Sequence, residues 1–132
     1  MRLGTSTFLA IGLGILYVAA PARAHHSFAA QYDSTKTVTL TGKVTKVEWM
    51  NPHIYFYIDV TDEETGEVTP WALEMGGPNA LIRLGWTRDS MKTDDVVTVE
   101  GTLARDGGNL ANARSVVLTA TGRKLFAGSS EQ

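Results

Sequence analysis

Residues 53–60 (HIYFYIDV) alternate without a break, with Ile54, Phe56, Ile58 and Val60 on one parity and His53, Tyr55, Tyr57 and Asp59 on the other. A period of two marks a strand with one buried face and excludes a helix here. Residues 37–49 (TVTLTGKVTKVEW) also alternate: Val38, Leu40, Gly42 and Val44 share one parity, whereas Val47 and Trp49 fall on the other. A parity change inside one long strand needs a bulge or a bend, and Gly42 is a natural place for a bend. Asn51-Pro52 is a turn signal between the two strands. Asp62 to Gly66 predicts a hairpin turn into a third strand over 68–75 (VTPWALEM). There Trp71, Leu73 and Met75 share a face, and Pro70 marks an edge or a bulge.

The strand pattern then stops at Gly76-Gly77-Pro78-Asn79. Ala80 to Leu84 predicts one or two helical turns, ended by Gly85. Two further strands follow at 96–104 and 113–119, joined by the turn-rich Asp106-Gly107-Gly108-Asn109, and residues 122–126 offer a short tail strand. The order β-β-β-α-β-β, with a bent first strand, is that of an OB-type five-stranded barrel: an all-β fold with one short helix. Closure removes most sheet edges, which helps a short chain. A small open sandwich of the same strands is the alternative. Trp49, Trp71 and Trp86 are expected in the core.

The N-terminus has a different character. Arg2 precedes an apolar run from Phe8 to Ala20, 13 residues, too short for a bilayer core of about 30 Å. Ala22-Arg23-Ala24 then supplies small residues for a cleavage site, so residues 1–24 read as a secretory signal peptide. A membrane anchor is the alternative, and a cut after Ala22 competes with the cut after Ala24. The expected organisation is a signal over 1–24, an arm over 25–36 and a barrel domain over 37–128.

Removing 24 of 132 residues leaves 108, with no membrane span; Arg2 and Arg23 leave too, so 10 basic face 14 acidic residues, net −4. Without a basic excess, nucleic acid is not an expected partner. With no cysteine, disulfides, thiol catalysis, Cys-based zinc sites and a lipoprotein anchor are excluded. Export predicts a periplasmic or secreted protein.

The three histidines carry the sharpest chemical signal. Cleavage after Ala24 would make His25 the first residue, followed by His26, and place His53 beyond the Asn51-Pro52 turn. A free α-amine and the imidazole Nδ1 of one N-terminal histidine can chelate a single ion. A second imidazole then completes three nitrogens in a T shape, the histidine-brace geometry, which suits Cu(II). His53 is the distant histidine able to supply the third nitrogen. His26 can replace His25 as the imidazole donor or occupy an axial position. The plainer alternative is a frayed terminus for His25 and His26, and a backbone-bonded strand-start histidine for His53.

Other residues offer weaker constellations. Asp62, Glu63, Glu64 and Glu67 read as a solvated turn, and Asp94-Asp95 as another. Glu74 has parity opposite to Leu73 and Met75, facing either a site or the solvent. Tyr55 and Tyr57 share the face of His53, as a shallow binding surface or as ordinary cross-strand partners. No Ser-His-Asp arrangement is convincing, and Gly76-Gly77-Pro78 lacks the Lys and Ser/Thr of a phosphate loop.

The set Ala24-His25-His26-Ser27-Phe28, Val47-Glu48-Trp49 with Asn51-Pro52-His53, Gly77-Pro78-Asn79-Ala80-Leu81 with Gly85-Trp86-Thr87-Arg88, and Asn112-Ala113-Arg114-Ser115 resembles domain-of-unknown-function family 6152. These are small exported bacterial proteins, and the resemblance spans residues 24–130. It implies a Gram-negative, periplasmic origin and supplies no activity. Met50 departs from the small polar residue expected there; its thioether is a soft ligand or plain filler. The placement of His25 is also similar to that of exported copper carriers whose mature chains begin with histidine, a likeness of site and not of fold.

Two classes of function follow. The first is a periplasmic copper carrier or buffer using His25, His53 and His26, with a periplasmic or membrane protein as delivery partner. The second is a metal-free OB-type module presenting Tyr55, Tyr57 and Trp71 to a small ligand, glycan or protein. A copper oxidase would use the same ligands as the carrier but needs an open substrate position, so an enzyme is the weaker expectation.

Overall fold

The computed structural model describes residues 28–128. The elements run α1 (Phe28–Gln31), β1 (Tyr32–Glu48), β2 (Tyr55–Thr61), β3 (Val68–Glu74), α2 (Pro78–Arg83), β4 (Val96–Ala104), β5 (Leu110–Leu118) and β6 (Arg123–Phe126). The expected order of strands and intervening helix is present, with α1 and the tail strand β6 added at the ends.

Sheet order is β3-β2-β1-β4-β5-β6, and a parallel pairing of β3 with β5 joins its two sides. The ring β1-β2-β3-β5-β4 is therefore closed, an OB-like barrel and not an open sandwich. Closure rests on three register pairs: Ala72 with Leu110, Leu73 with Ala111 and Glu74 with Asn112. The first half of β3, including Pro70, pairs only with β2, so the proline sits where no second ladder needs its missing N–H.

The alternation of β2 sets the core. Ile54, Phe56 and Ile58 are fully buried and meet Val44, Leu73, Met75, Val97, Val99 and Val116; Val60 packs against them at the barrel end. Leu81 of α2 and Trp86 plug the same core, and Trp86 Nε1 donates to the Phe126 carbonyl at 2.9 Å. Trp49 and Trp71 are only partly buried against it.

The parity change in β1 is absorbed at Thr45, not at Gly42. Val44 pairs with Ile58 and Lys46 with the adjacent Tyr57, leaving Thr45 as the bulged residue. Gly42 has a separate role, since a Cβ there would lie 2.5 Å from the Asp59 carbonyl oxygen. It lets two strands approach more closely than any side chain permits.

A second difference concerns the segment expected as an arm. β1 begins at Tyr32, which pairs with Ala104, before the chain loops out and rejoins β4 at Thr37–Thr102. Asp33 organises the loop-out by accepting from the Thr35 N–H at 3.1 Å and the Thr35 hydroxyl at 2.7 Å. Four residues, 33–36, thus face a single partner residue, which erases the period of two.

Candidate functional site: a buried carboxylate behind His53

The β2–β3 hairpin sets the register of the site. At its turn, Asp62 accepts from the N–H groups of Glu64 and Thr65 at 2.9 and 2.8 Å and pairs its own N–H with the Glu67 carbonyl. That register puts Tyr55 directly opposite Glu74. The ladder continues one step further, through Met75 N–H to Ile54 carbonyl at 2.8 Å and Ile54 N–H to Gly76 carbonyl at 3.1 Å. His53 is therefore held beside the end of β3. Before it, the Asn51–Pro52 peptide bond is cis, and the turn is seated against Gly77, where a Cβ would lie 2.7 Å from the Pro52 carbonyl oxygen.

Glu74 points out of the barrel yet is only 2% exposed. Its Oε1 lies 2.8 Å from His53 Nδ1. Its Oε2 accepts the Tyr32 hydroxyl, delivered from the start of β1. Tyr55 faces the same carboxylate from the neighbouring strand, and Asn112 stands opposite Glu74 across the barrel seam. A carboxylate this deep needs donors to offset its lost hydration, and they reach it from β1 and from the turn before β2. Burial, reinforced by Glu74, pushes the Tyr32 and Tyr55 phenols well above their ordinary value of 10.0.

His53 is the accessible member. Its side chain is 37% exposed, against 3% for that of Glu74. A carboxylate accepts and does not donate, so Nδ1 carries a proton in this contact, and Nε2 is the ring nitrogen left for another partner. Among the described residues, no three His, Cys, Asp or Glu side chains are arranged to hold a metal ion. His25 and His26, the other two expected ligands, lie outside the described residues.

The aromatic surface is less available than its parity implies. Tyr57 donates to Glu48 Oε2 at 2.9 Å, and Lys46, itself in contact with Glu48, sits 5.6 Å from the ring centre. Trp71 is half-buried on the inner face, and Arg88 stands 5.9 Å over Trp49. Met50 is exposed.

Sequence reasoning misses Tyr32, because the loop-out at 33–36 hides its alignment with β4. Glu74 does carry a signal. It is a lone carboxylate between Leu73 and Met75, and the hairpin turn alone places it opposite Tyr55, on the face of His53.

The family model for the family of unknown function DUF6152 matches residues 13–113. The chain belongs to this family. The DUF6152 match spans the described elements from α1 into β5. No curated protein matches the chain. Among solved structures, the chain is similar to the mitochondrial single-stranded DNA binding protein Rim1 of S. cerevisiae. The TM-score is 0.50 and the identity 9%, over 71% of this chain and 96% of that one. At that identity the likeness is one of fold, and it fits the ring closure described above. Among the described residues no helix is long and apolar enough to cross a membrane.

Proposed function

We propose that this DUF6152 protein is an exported copper-binding protein, a periplasmic or secreted carrier or buffer. His53 Nε2, the N-terminal amine and His25 imidazole of the processed chain would form a histidine brace, with His26 as the alternative or axial donor. The observation that carries this reading is the His53–Glu74 contact. Metal-binding histidines commonly donate their second ring N–H to a carboxylate, which fixes the tautomer and raises ligand basicity. Here that contact turns Nδ1 inward and leaves Nε2 on the accessible side.

The course of the chain supports the same reading. Phe28 packs its ring on Tyr32 with centroids 5.2 Å apart, and the Tyr32 hydroxyl bonds the carboxylate that holds His53. His25 is three residues before Phe28, a reach of at most about 11 Å. A brace needs bonds of ~2.0 Å from each nitrogen to one ion, so this reading requires His25 to use that reach to meet His53 Nε2. The excess of acidic residues argues against single-stranded DNA binding of the kind Rim1 performs.

The deciding experiment titrates Cu(II) into three forms: the mature protein beginning at His25, its His53→Ala variant, and a form with one extra residue before His25. Each change removes one nitrogen donor, so each is expected to weaken binding more than tenfold, about 1.4 kcal/mol or more. Equal affinity in all three forms refutes the brace. Intact mass of the exported protein reports the cut site, and a mature chain beginning at Arg23 removes the amine from the site.

A further inference from the structure

We infer that Glu74 and Tyr32 are positioning residues, one carboxylate fixing the His53 tautomer with Oε1 and anchoring the N-terminal segment with Oε2. The tautomer half stands on the described geometry alone; the coupling to metal affinity rests on the copper reading above.

The two oxygens of Glu74 serve two different elements. Oε1 meets His53 Nδ1 at 2.8 Å, and Oε2 takes the Tyr32 hydroxyl 42 residues away in sequence. A neutral imidazole in water exchanges its proton between two nitrogens; a fixed acceptor at Nδ1 selects one arrangement. Glutamine at the same place offers one oxygen and one N–H₂, so it can serve Tyr32 or His53 as acceptor but not both equally. Tyr32 in turn begins the anchored part of the chain. Beyond it, α1 has a single turn, too short to hold itself. Its placement comes from Arg105, whose Nε donates to the Ala29 carbonyl at 2.7 Å and whose backbone N–H donates to the Gln31 carbonyl at 2.9 Å, and from the Phe28–Tyr32 ring contact. The segment leading to His25 therefore leaves from a point set jointly by Arg105 and, through Tyr32, by the carboxylate that contacts His53.

The test has a metal-free readout and a copper readout. Long-range ¹H–¹⁵N NMR of the His53 ring in the apo mature protein is expected to show the proton on Nδ1, and to show a mixed or inverted tautomer in Glu74→Gln. Loss of the Nδ1 preference confirms the first half; an unchanged tautomer in Glu74→Gln overturns it, whatever the protein does with metal. In Cu(II) titrations Glu74→Gln is expected to weaken binding about 10- to 100-fold, the usual effect of losing such a partner. Tyr32→Phe removes one oxygen atom and leaves the His53 contact. It should keep the tautomer and weaken copper binding severalfold. The double variant should bind no more weakly than Glu74→Gln alone, since both act through one carboxylate. If the wild type binds copper and Tyr32→Phe binds it equally well, the coupling is wrong. If Glu74→Gln does not fold, Tyr32→Phe still decides the coupling. A wild type that binds no copper refutes the proposed function instead, and the NMR result still stands or falls by itself.

Discussion

On the inner side of β3, Leu73 and Met75 are sealed by the barrel core: Phe56, Ile58, Val99 and their neighbours. On the outer side of the same strand, Glu74 is sealed almost as completely by Tyr32, Tyr55, His53 and Asn112. The inner side is held by area removed from water, which is non-directional and tolerant of exchange among apolar shapes. The outer side is held by directed bonds around one charge-bearing group, where loss of a partner is felt through what is left unpaired. Burial on this strand thus has two causes.

The contrast can be broken at either face. The largest effect is expected from Phe56→Ala, which empties the centre of the inner layer and should cost about 3–5 kcal/mol; urea unfolding measures it. A loss below about 1 kcal/mol would mean that the inner layer is not the main support. Gly42→Ala tests the closeness of β1 and β2. A methyl placed 2.5 Å from the Asp59 carbonyl oxygen must push the strands apart, at a cost of about 1–3 kcal/mol. Tyr32→Phe probes the outer layer and should cost about 1–2 kcal/mol, with the hydrogen exchange of α1 rising more than that of β2.

Alkali should separate the faces without mutation. The folded Tyr32 and Tyr55 phenols ionise above their ordinary value of 10.0, so the folded chain binds more protons than the unfolded chain beyond that pH. Stability is then fully present below about pH 10 and falls as pH rises further. Spectrophotometric titration should show both phenols resisting ionisation until the outer layer opens, and ionisation of every tyrosine at the ordinary value would contradict their burial. The smallest effect is expected from Lys46→Ala. It removes an exposed contact to Glu48, and should leave the urea midpoint unchanged within the error of measurement.

The same contrast explains what could be read from the sequence. The inner face is written locally: the alternation of Ile54, Phe56 and Ile58 marks the strand and its core residues, and the turn at Asp62 marks the next strand. With them came the element order and the OB-like closure. The outer layer is not local. Glu74 is buried because Tyr32 reaches it from 42 residues away, and the loop-out at 33–36 conceals that Tyr32 belongs to a strand at all. The bulge fell at Thr45 because β2 pairing, not glycine, determines where the extra residue is absorbed. Of the three expected metal ligands, His53 could be placed from its turn and strand. The ligand roles proposed for His25 and His26 depend on the proposed cleavage, and both residues lie outside the described residues.

The last rung of the β3–β5 seam is Glu74 opposite Asn112, so the polar cluster sits on the join that converts a sheet into a ring. Its members come from positions 32, 53, 55, 74 and 112, and no local stretch of chain contains more than the middle three. The β2–β3 hairpin is the cheapest of these contacts to form, because its loop is short; the pairings that deliver Tyr32 and Asn112 must close much longer loops and are expected later in folding. A chain that has formed only the hairpin holds His53, Tyr55 and Glu74, and the carboxylate still lies open to water. Assembly of the cluster therefore reports completion of the fold: an incompletely closed chain leaves Glu74 without Tyr32 and without its cover across the seam.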